Sequence, residues 1–168
     1  ILADDIYGRL VYNGNEFVPI SSLSEAIRKQ TIVINGVSKA YAMTGWRVGY
    51  AVGDPEIIAA MSKLTGQTTS NLTAVSQYAT IEALTGPQDS VETMRQAFEE
   101  RLNTIYPLLC QVPGFEVVKP QGAFYLFPNV KKAMEMKGYT DVTAFTTAIL
   151  EEVGLALITG AGFGAPEN

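Results

Sequence analysis

The sequence predicts an α/β protein followed by a smaller α+β unit. Three patterns carry this reading. The first third alternates short β-branched runs with turn signals. A later segment steps its apolar residues by three or four over about twenty positions, the length of one long helix. Beyond it the order changes to strand, strand, helix, strand, which suits a separate small unit.

Taken in order, Ile1–Ala3 reads as part of a buried strand that ends in the polar group Asp4-Asp5-Ile6-Tyr7. Ser21 to Lys29 has helical spacing through Leu23, Ala26 and Ile27. Thr31 to Asn35 is a continuous apolar run of strand length, expected to be covered on both faces. Arg47 to Val52 is a further short strand. Asp54-Pro55-Glu56 is a helix start, with a capping acid, Pro at the first helical position and an acid in the first turn. Thr65 to Leu72 is polar and reads as a loop, and helical spacing returns from Thr73 to Leu84 until Gly86-Pro87 breaks it. Ser90 is placed to cap the long helix, which carries Val91, Met94, Phe98, Leu102, Ile105 and Leu109 on one stripe and is expected to end near Pro113-Gly114. Strands are expected at Phe115–Lys119 and Ala123–Phe127, then a polar stretch, a helix capped by Thr140 or Asp141, and a last strand at Leu155–Ile158. The boundary between the units is placed inside the long helix, giving residues 1–106 and 107–168. Both ends read as interior, because Ile1-Leu2-Ala3 is strand-like and the loop from Gly160 to Pro166 stops without a following element. The expectation is therefore a piece of a longer polypeptide.

Composition narrows the function classes. With 47% hydrophobic and 17% charged residues, the 168-residue chain is globular material. Twelve basic residues against seventeen acidic ones, and no basic cluster beyond Lys131-Lys132, give no footprint for nucleic acid. No apolar run approaches the ~20 residues of a membrane span, so no membrane partner is expected. There is no histidine and one cysteine, Cys110. Ser-His-Asp and Cys-His nucleophile systems and Cys/His zinc sites are thereby excluded within this chain, so no metal ligands are expected. A single thiol also precludes a disulfide framework and fits a reducing, cytoplasmic setting.

Two clusters could carry chemistry. Asn35-Gly36-Val37-Ser38-Lys39-Ala40-Tyr41-Ala42-Met43-Thr44-Gly45-Trp46-Arg47 leads from a buried strand into a loop with one lysine, hydroxyls, glycines, the only tryptophan and an arginine. Lys39 is either a solvated lysine after a strand or an amine that forms a Schiff base, which requires its pKa to be lowered by burial and neighbours. Arg47, always protonated, would favour the neutral amine and could grip a phosphate in bidentate fashion. Gly36 and Gly45 would let the backbone approach such a ligand. At the first strand's end, Asp4, Asp5 and Tyr7 are either an exposed polar terminus or the source of one carboxylate held against a protonated pyridine nitrogen.

The strings DDIY and NGVSKAYAMTGWRVGY closely resemble the class I aminotransferases, pyridoxal-phosphate enzymes of fold type I, in their aspartate-aminotransferase-like branch. GAFYLFP (Gly122–Pro128) and the terminal ITGAGFGAP resemble the small domain of the same family. The resemblance implies the C-terminal part of the fold type I large domain plus most of its small α+β domain. It makes Lys39 the lysine that carries the cofactor as an internal aldimine and later relays the proton. Asp4 matches the carboxylate on the pyridine nitrogen, Tyr7 the phenol facing the cofactor's phenolic oxygen, and Arg47 the phosphate-binding arginine. Where the family often has a phosphate-binding serine, this chain has Gly36, so Ser38 or a group elsewhere must serve. The family's phosphate loop, ring-stacking aromatic and asparagine precede Ile1, and its substrate-carboxylate arginine follows Asn168.

The implied activity is amino transfer from an L-amino acid, aspartate-like or broad in specificity, to a 2-oxo acid, in amino-acid biosynthesis, by a cytoplasmic homodimer, with the isolated piece inactive. Rivals on the same fold are a C–S lyase or decarboxylase, and a non-catalytic effector-sensing module of a regulator. Tyr125 and Phe127 could line a substrate entrance or be core, and Thr68 to Asn71 could reach a dimer partner or be a turn. Gly160 to Gly164 could cradle a phosphate, although no helix follows it, and Cys110 is expected as a buried apolar filler.

Overall fold

The computed structural model describes residues 1–165, so Pro166 of the terminal loop lies outside the described residues. The chain divides into two compact units. One comprises Ile1–Glu99 with Gln121–Ala123, and the other comprises Glu100–Pro120 and the residues from Phe124 onward.

In the first unit, β1 (Leu2–Asp4), β2 (Ile32–Gly36) and β3 (Gly49–Val52) form a sheet in that order. β1 and β2 are parallel, pairing Leu2 with Ile32 and Asp4 with Ile34. β2 and β3 are antiparallel, pairing Val33 with Val52 and Gly36 with Gly49. The strands are less covered than expected: Leu2 is 74% exposed and Val52 60%. An edge strand of three residues buries its side chains only where other elements overlie it, and in this chain the deepest apolar residues lie in the adjoining loops instead. Leu10, Tyr12, Val37, Ala40 and Val48 are all buried, with Val91 from the long helix.

The helices largely follow their start signals. The helix expected over 21–29 is split into a 3-10 turn at Ile20–Ser22 and α1 (Glu25–Lys29), because the Ser24 hydroxyl accepts the Ile27 N–H and starts a fresh helix. Asp54 caps α2 (Pro55–Thr68) by accepting the N–H groups of Glu56 and Ile57. α2 runs into the expected loop as far as Thr68, since the Thr65 and Thr68 hydroxyls turn back to the carbonyls of Met61 and Leu64 and remain compatible with the helix. α3 (Ala74–Thr85) is capped by Thr73. α4 (Asp89–Leu109) starts one residue before Ser90, so Ser90 is not its cap. It also ends earlier than expected, at Leu109, with Pro107 inside its last turn and the Cys110 N–H still bonded to the Tyr106 carbonyl at 3.0 Å.

The second unit has its own core of Val130, Ala133, Met134, Val142 and Phe145, with Phe115, Tyr139 and Ile149 packed on it. α5 (Lys131–Met136) occupies the stretch that reads as merely polar, and Ala133 and Met134 are the side of it that is buried. Asp141 caps α6 (Val142–Val153) through the Ala144 N–H at 2.7 Å. The expected strands at 115–119, 123–127 and 155–158 do not form ladders. Glu116 pairs singly with Asn129, while Val118 and Ile158 are 87% and 83% exposed. Alternating apolar residues make a strand only beside a partner edge, and among the described residues these segments meet none beyond single bridges.

An ion-pair cluster joins α4 to the loop after β1. Arg95 grips Glu92 with two nitrogens at 2.8 and 2.9 Å, reaches Glu99 at 2.8 Å and donates to the Val11 carbonyl at 3.2 Å. Glu99 also accepts the Asn13 N–H. Tyr12, between these contacts, donates its hydroxyl to the Ala123 carbonyl, and burial pushes its pKa up against the opposing pull of Arg95. Hydrogen bonds from Arg95 hold the Glu92 carboxyl down to about 2, from an ordinary 4.5. Glu99 is lowered as well, first by the Asn13 N–H and then by Arg95.

Carboxyls depressed in the folded state stabilise it above the ordinary carboxylate range and lose that contribution as pH falls towards about 2. Arg95→Met is therefore expected to flatten the acid limb of a urea-midpoint profile between pH 4.5 and 2 while leaving the shape of the profile between pH 6 and 8 unchanged. An unchanged acid limb would show that the cluster does not link protonation to folding.

Candidate functional site

The five residues singled out from the sequence lie at one edge of the sheet, beyond the carboxyl ends of the parallel strands. Open α/β sheets bind ligands at that edge. Asp4 ends β1, is exposed, and accepts the Ile6 N–H with Oδ1 at 3.2 Å. The next residue is tied to β2 by the Asp5 N–H to Ile34 carbonyl bond at 2.9 Å. Tyr7 follows in a turn and is half-buried.

β2 delivers Ser38 and Lys39, both half-buried, between two buried apolar residues, Val37 and Ala40. These neighbours anchor the backbone, so Lys39 is carried by packed positions on either side of Ser38-Lys39. Its Nζ lies 5.7 Å from the centre of the Tyr7 ring, a cation–π distance. Amine and phenol therefore share one locus although 32 positions separate them in the chain. Arg47 returns to the same edge. It is exposed, has left-handed backbone at φ 56°, and donates to the Thr44 carbonyl at 2.9 Å. That left-handed turn is why β3 begins at Gly49 rather than at Arg47. The next residue, Val48, is buried and accepts the Val37 N–H at 3.3 Å, which closes residues 37–48 into a loop.

Gly36 has a local cause. A Cβ there would lie 2.7 Å from the Val48 carbonyl oxygen, so the backbone at this position approaches its own chain rather than a ligand. Gly45 faces open space.

Two further contacts reach the loop and had no signal in the sequence. The Tyr41 hydroxyl donates to Gln88 Oε1 at 3.1 Å, from the turn between α3 and α4. Ser76, in the first turn of α3, donates its hydroxyl to the Trp46 carbonyl at 3.1 Å. Gln88 and Ser76 sit in ordinary helical and turn sequence, where an amide or hydroxyl reads as solvated.

The remaining candidates lie elsewhere. Tyr125 and Phe127 are 56% and 48% exposed rather than core, and Phe127 meets Phe163 edge-on at 6.2 Å. Gly160–Phe163 is a 3-10 turn. Cys110, one residue past the end of α4, is exposed and not a buried filler. A cleft of about 470 Å³ in the first unit is lined by Arg9, Phe17, Gln88, Glu92, Arg95 and Glu99 among others, and by none of the five site residues. The sheet edge is favoured over it as the chemical site because Lys39 and Tyr7 meet at that edge, whereas the cleft's carboxylates are already satisfied by Arg95. No group of His, Cys, Asp and Glu among the described residues could hold a metal ion, and no helix among them is long and apolar enough to cross a membrane.

The donor set fits pyridoxal phosphate: a half-buried amine for its carbonyl carbon, a phenol beside that amine, a carboxylate for a ring nitrogen, and a guanidinium and hydroxyl for a phosphate. An asparagine–oxo-acid transaminase of Streptococcus mutans is 80% identical over 168 residues, which cover all of this chain and 43% of that protein. An aspartate aminotransferase of a Bacillus species is 58% identical over the same length. The crystal structure of the Rhizobium meliloti aspartate aminotransferase superposes with a TM-score of 0.90 at 37% identity, covering 97% of this chain and 42% of that one. The chain thus spans less than half the length of these relatives. The family described as aminotransferase class I and II matches residues 1–168 throughout, and with that match and the shared fold type I architecture the chain belongs to the class I and II aminotransferases.

Proposed function

We propose that the full-length protein containing this chain transfers an amino group from an L-amino acid to a 2-oxo acid, with pyridoxal phosphate held at Lys39. The observation that carries this reading is the meeting of Lys39 Nζ and the Tyr7 ring at the carboxyl edge of the parallel strands. In this reading Lys39 binds the cofactor covalently and then moves the proton at the substrate's Cα. Asp4 pairs with the ring nitrogen and keeps it protonated, Tyr7 hydrogen-bonds the phenolic oxygen, and Arg47 and Ser38 bind the phosphate. Bound pyridoxal phosphate supplies an electron sink for the pair left when the Cα proton leaves.

The relatives named for asparagine and aspartate favour a four-carbon amino donor. Residues 1–106 are read as the C-terminal part of the large domain and 107–168 as most of the small domain, in a cytoplasmic homodimer. The arginine for the substrate carboxylate is assigned to the polypeptide outside this chain.

Borohydride trapping of the full-length protein with pyridoxal phosphate, followed by peptide mapping, is expected to place the adduct on Lys39. Lys39→Ala should remove the adduct and lower turnover by at least about 10²-fold, in line with the loss of a general acid–base. Adducts scattered over other lysines in the wild type would sink the assignment. Gly36→Ser tests the assignment of Ser38 separately. Its side chain would meet the Val48 carbonyl, so the substitution should lower the thermal midpoint without tightening cofactor binding. A gain in cofactor affinity would instead put the phosphate beside position 36.

A further inference from the structure

The loop that carries Lys39 has little regular structure to hold its shape. Its internal backbone bonds are long, with the Ala42 N–H to the Lys39 carbonyl at 3.3 Å and the Met43 N–H to the Val37 carbonyl at 3.4 Å. Ala42 and Arg47 both adopt left-handed backbone, at φ 53° and 56°, a conformation that costs free energy for any residue with a Cβ. A segment of this kind keeps one geometry only when its surroundings over-determine it.

Gln88 is built to do that. Its Nε2 donates to the Ala83 carbonyl at 3.0 Å and to the Gly86 carbonyl at 2.8 Å, which uses both amide hydrogens. Turning the amide over would set its oxygen against two carbonyl oxygens, so one orientation is fixed, with Oε1 directed at the Tyr41 hydroxyl. Gln88 is half-buried, as is Tyr41, so the bond between them is partly shielded from competing water. Tyr41 is two residues from Lys39. At the loop's far end the Ser76 hydroxyl fixes the Trp46 carbonyl, next to Arg47, and Ser76 is itself held in the capped first turn of α3.

From this we infer that Gln88, acting through the Tyr41 hydroxyl, is a positioning residue for Lys39, and that Ser76 is the matching brace at the Arg47 end. The first turn of α3 and the turn that follows its end together set the geometry of the loop. Neither residue touches the reacting atoms. The inference rests on the reading of Lys39 as the cofactor lysine.

The test uses the full-length protein freed of cofactor, in four forms: wild type, Tyr41→Phe, Gln88→Met and the double variant. Each is mixed with pyridoxal phosphate and quenched with borohydride over time. Labelling of Lys39 is read by peptide mass against Lys63 on α2 as an internal reference. Tyr41→Phe removes one oxygen and keeps the ring, so it is expected to fold. It should slow Lys39 labelling about three- to tenfold relative to Lys63, the range corresponding to one neutral hydrogen bond. Gln88→Met should do the same, and the double variant should be no slower than the slower single. Amide exchange in cofactor-free Tyr41→Phe should quicken at residues 40–47 and stay unchanged in α2. Wild-type labelling rates in both single variants, additive effects in the double, or equal slowing of Lys39 and Lys63 would each overturn the inference. If wild type itself fails to label Lys39, the cofactor assignment falls instead, a result distinct from any of these.

Discussion

The arrangement of the site depends on one closure. The Val37 N–H meets the Val48 carbonyl just past the point where β2 and β3 stop pairing, and Gly36 lies against that same carbonyl. This contact turns residues 37–48 into a loop with both ends pinned, so Ser38, Lys39 and Arg47 return to one place instead of trailing from separate strands. Asp4 and Tyr7 join them because β1 runs parallel to β2 and ends beside it. The energy for this comes from burial in the loops, where Val37, Ala40, Val48, Leu10 and Tyr12 are packed away while much of the sheet surface is open. A fully buried apolar side chain contributes roughly 1.5–3 kcal/mol. The polar residues are thus carried by an apolar frame a few positions away from each of them.

How much of this was legible in the sequence follows from what each signal depends on. Caps act within one turn of chain, and Asp54, Thr73 and Asp141 mark the starts of their helices as their side chains require. The motif of the candidate site stands out in the sequence too, because its chemically unusual residues are contiguous. Lysine, arginine and their spacing survive any uncertainty about where the strand ends. The bracing contacts were not. The Tyr41–Gln88 bond joins residues 47 positions apart, and nothing in either neighbourhood distinguishes a glutamine that clamps a loop from one that faces water.

The small unit shows the opposite failure. Phe115–Lys119, Ala123–Phe127 and Leu155–Ile158 have the composition of strands, yet composition specifies only a surface that would suit a sheet. A ladder needs a second edge in register, and among the described residues that requirement is met only by single bridges. Helices close their hydrogen bonds within the segment, so α6 forms as its sequence indicates and α5 forms where only polarity was noticed. Local rules therefore find most of the helices, with errors at their ends and at α5, and fall short wherever the partner must come from elsewhere.

The bond between Tyr12 and the Ala123 carbonyl joins groups 111 residues apart, and it belongs to the first unit together with the Tyr12 N–H to Gln121 carbonyl bond. The polypeptide between Glu99 and Gln121 belongs to the other unit. On a ribosome, then, the first unit has nearly all of its residues in hand but lacks the three that complete its hydrogen bonding until a stretch of its neighbour has also been made. At ordinary translation rates that interval is on the order of seconds. During it Tyr12 has no carbonyl for its hydroxyl, and the turn that follows Tyr7 is open on one side. Closure of the Leu10–Tyr12 segment is thereby timed by the emergence of Gln121–Ala123, not by the completion of the strands that precede it.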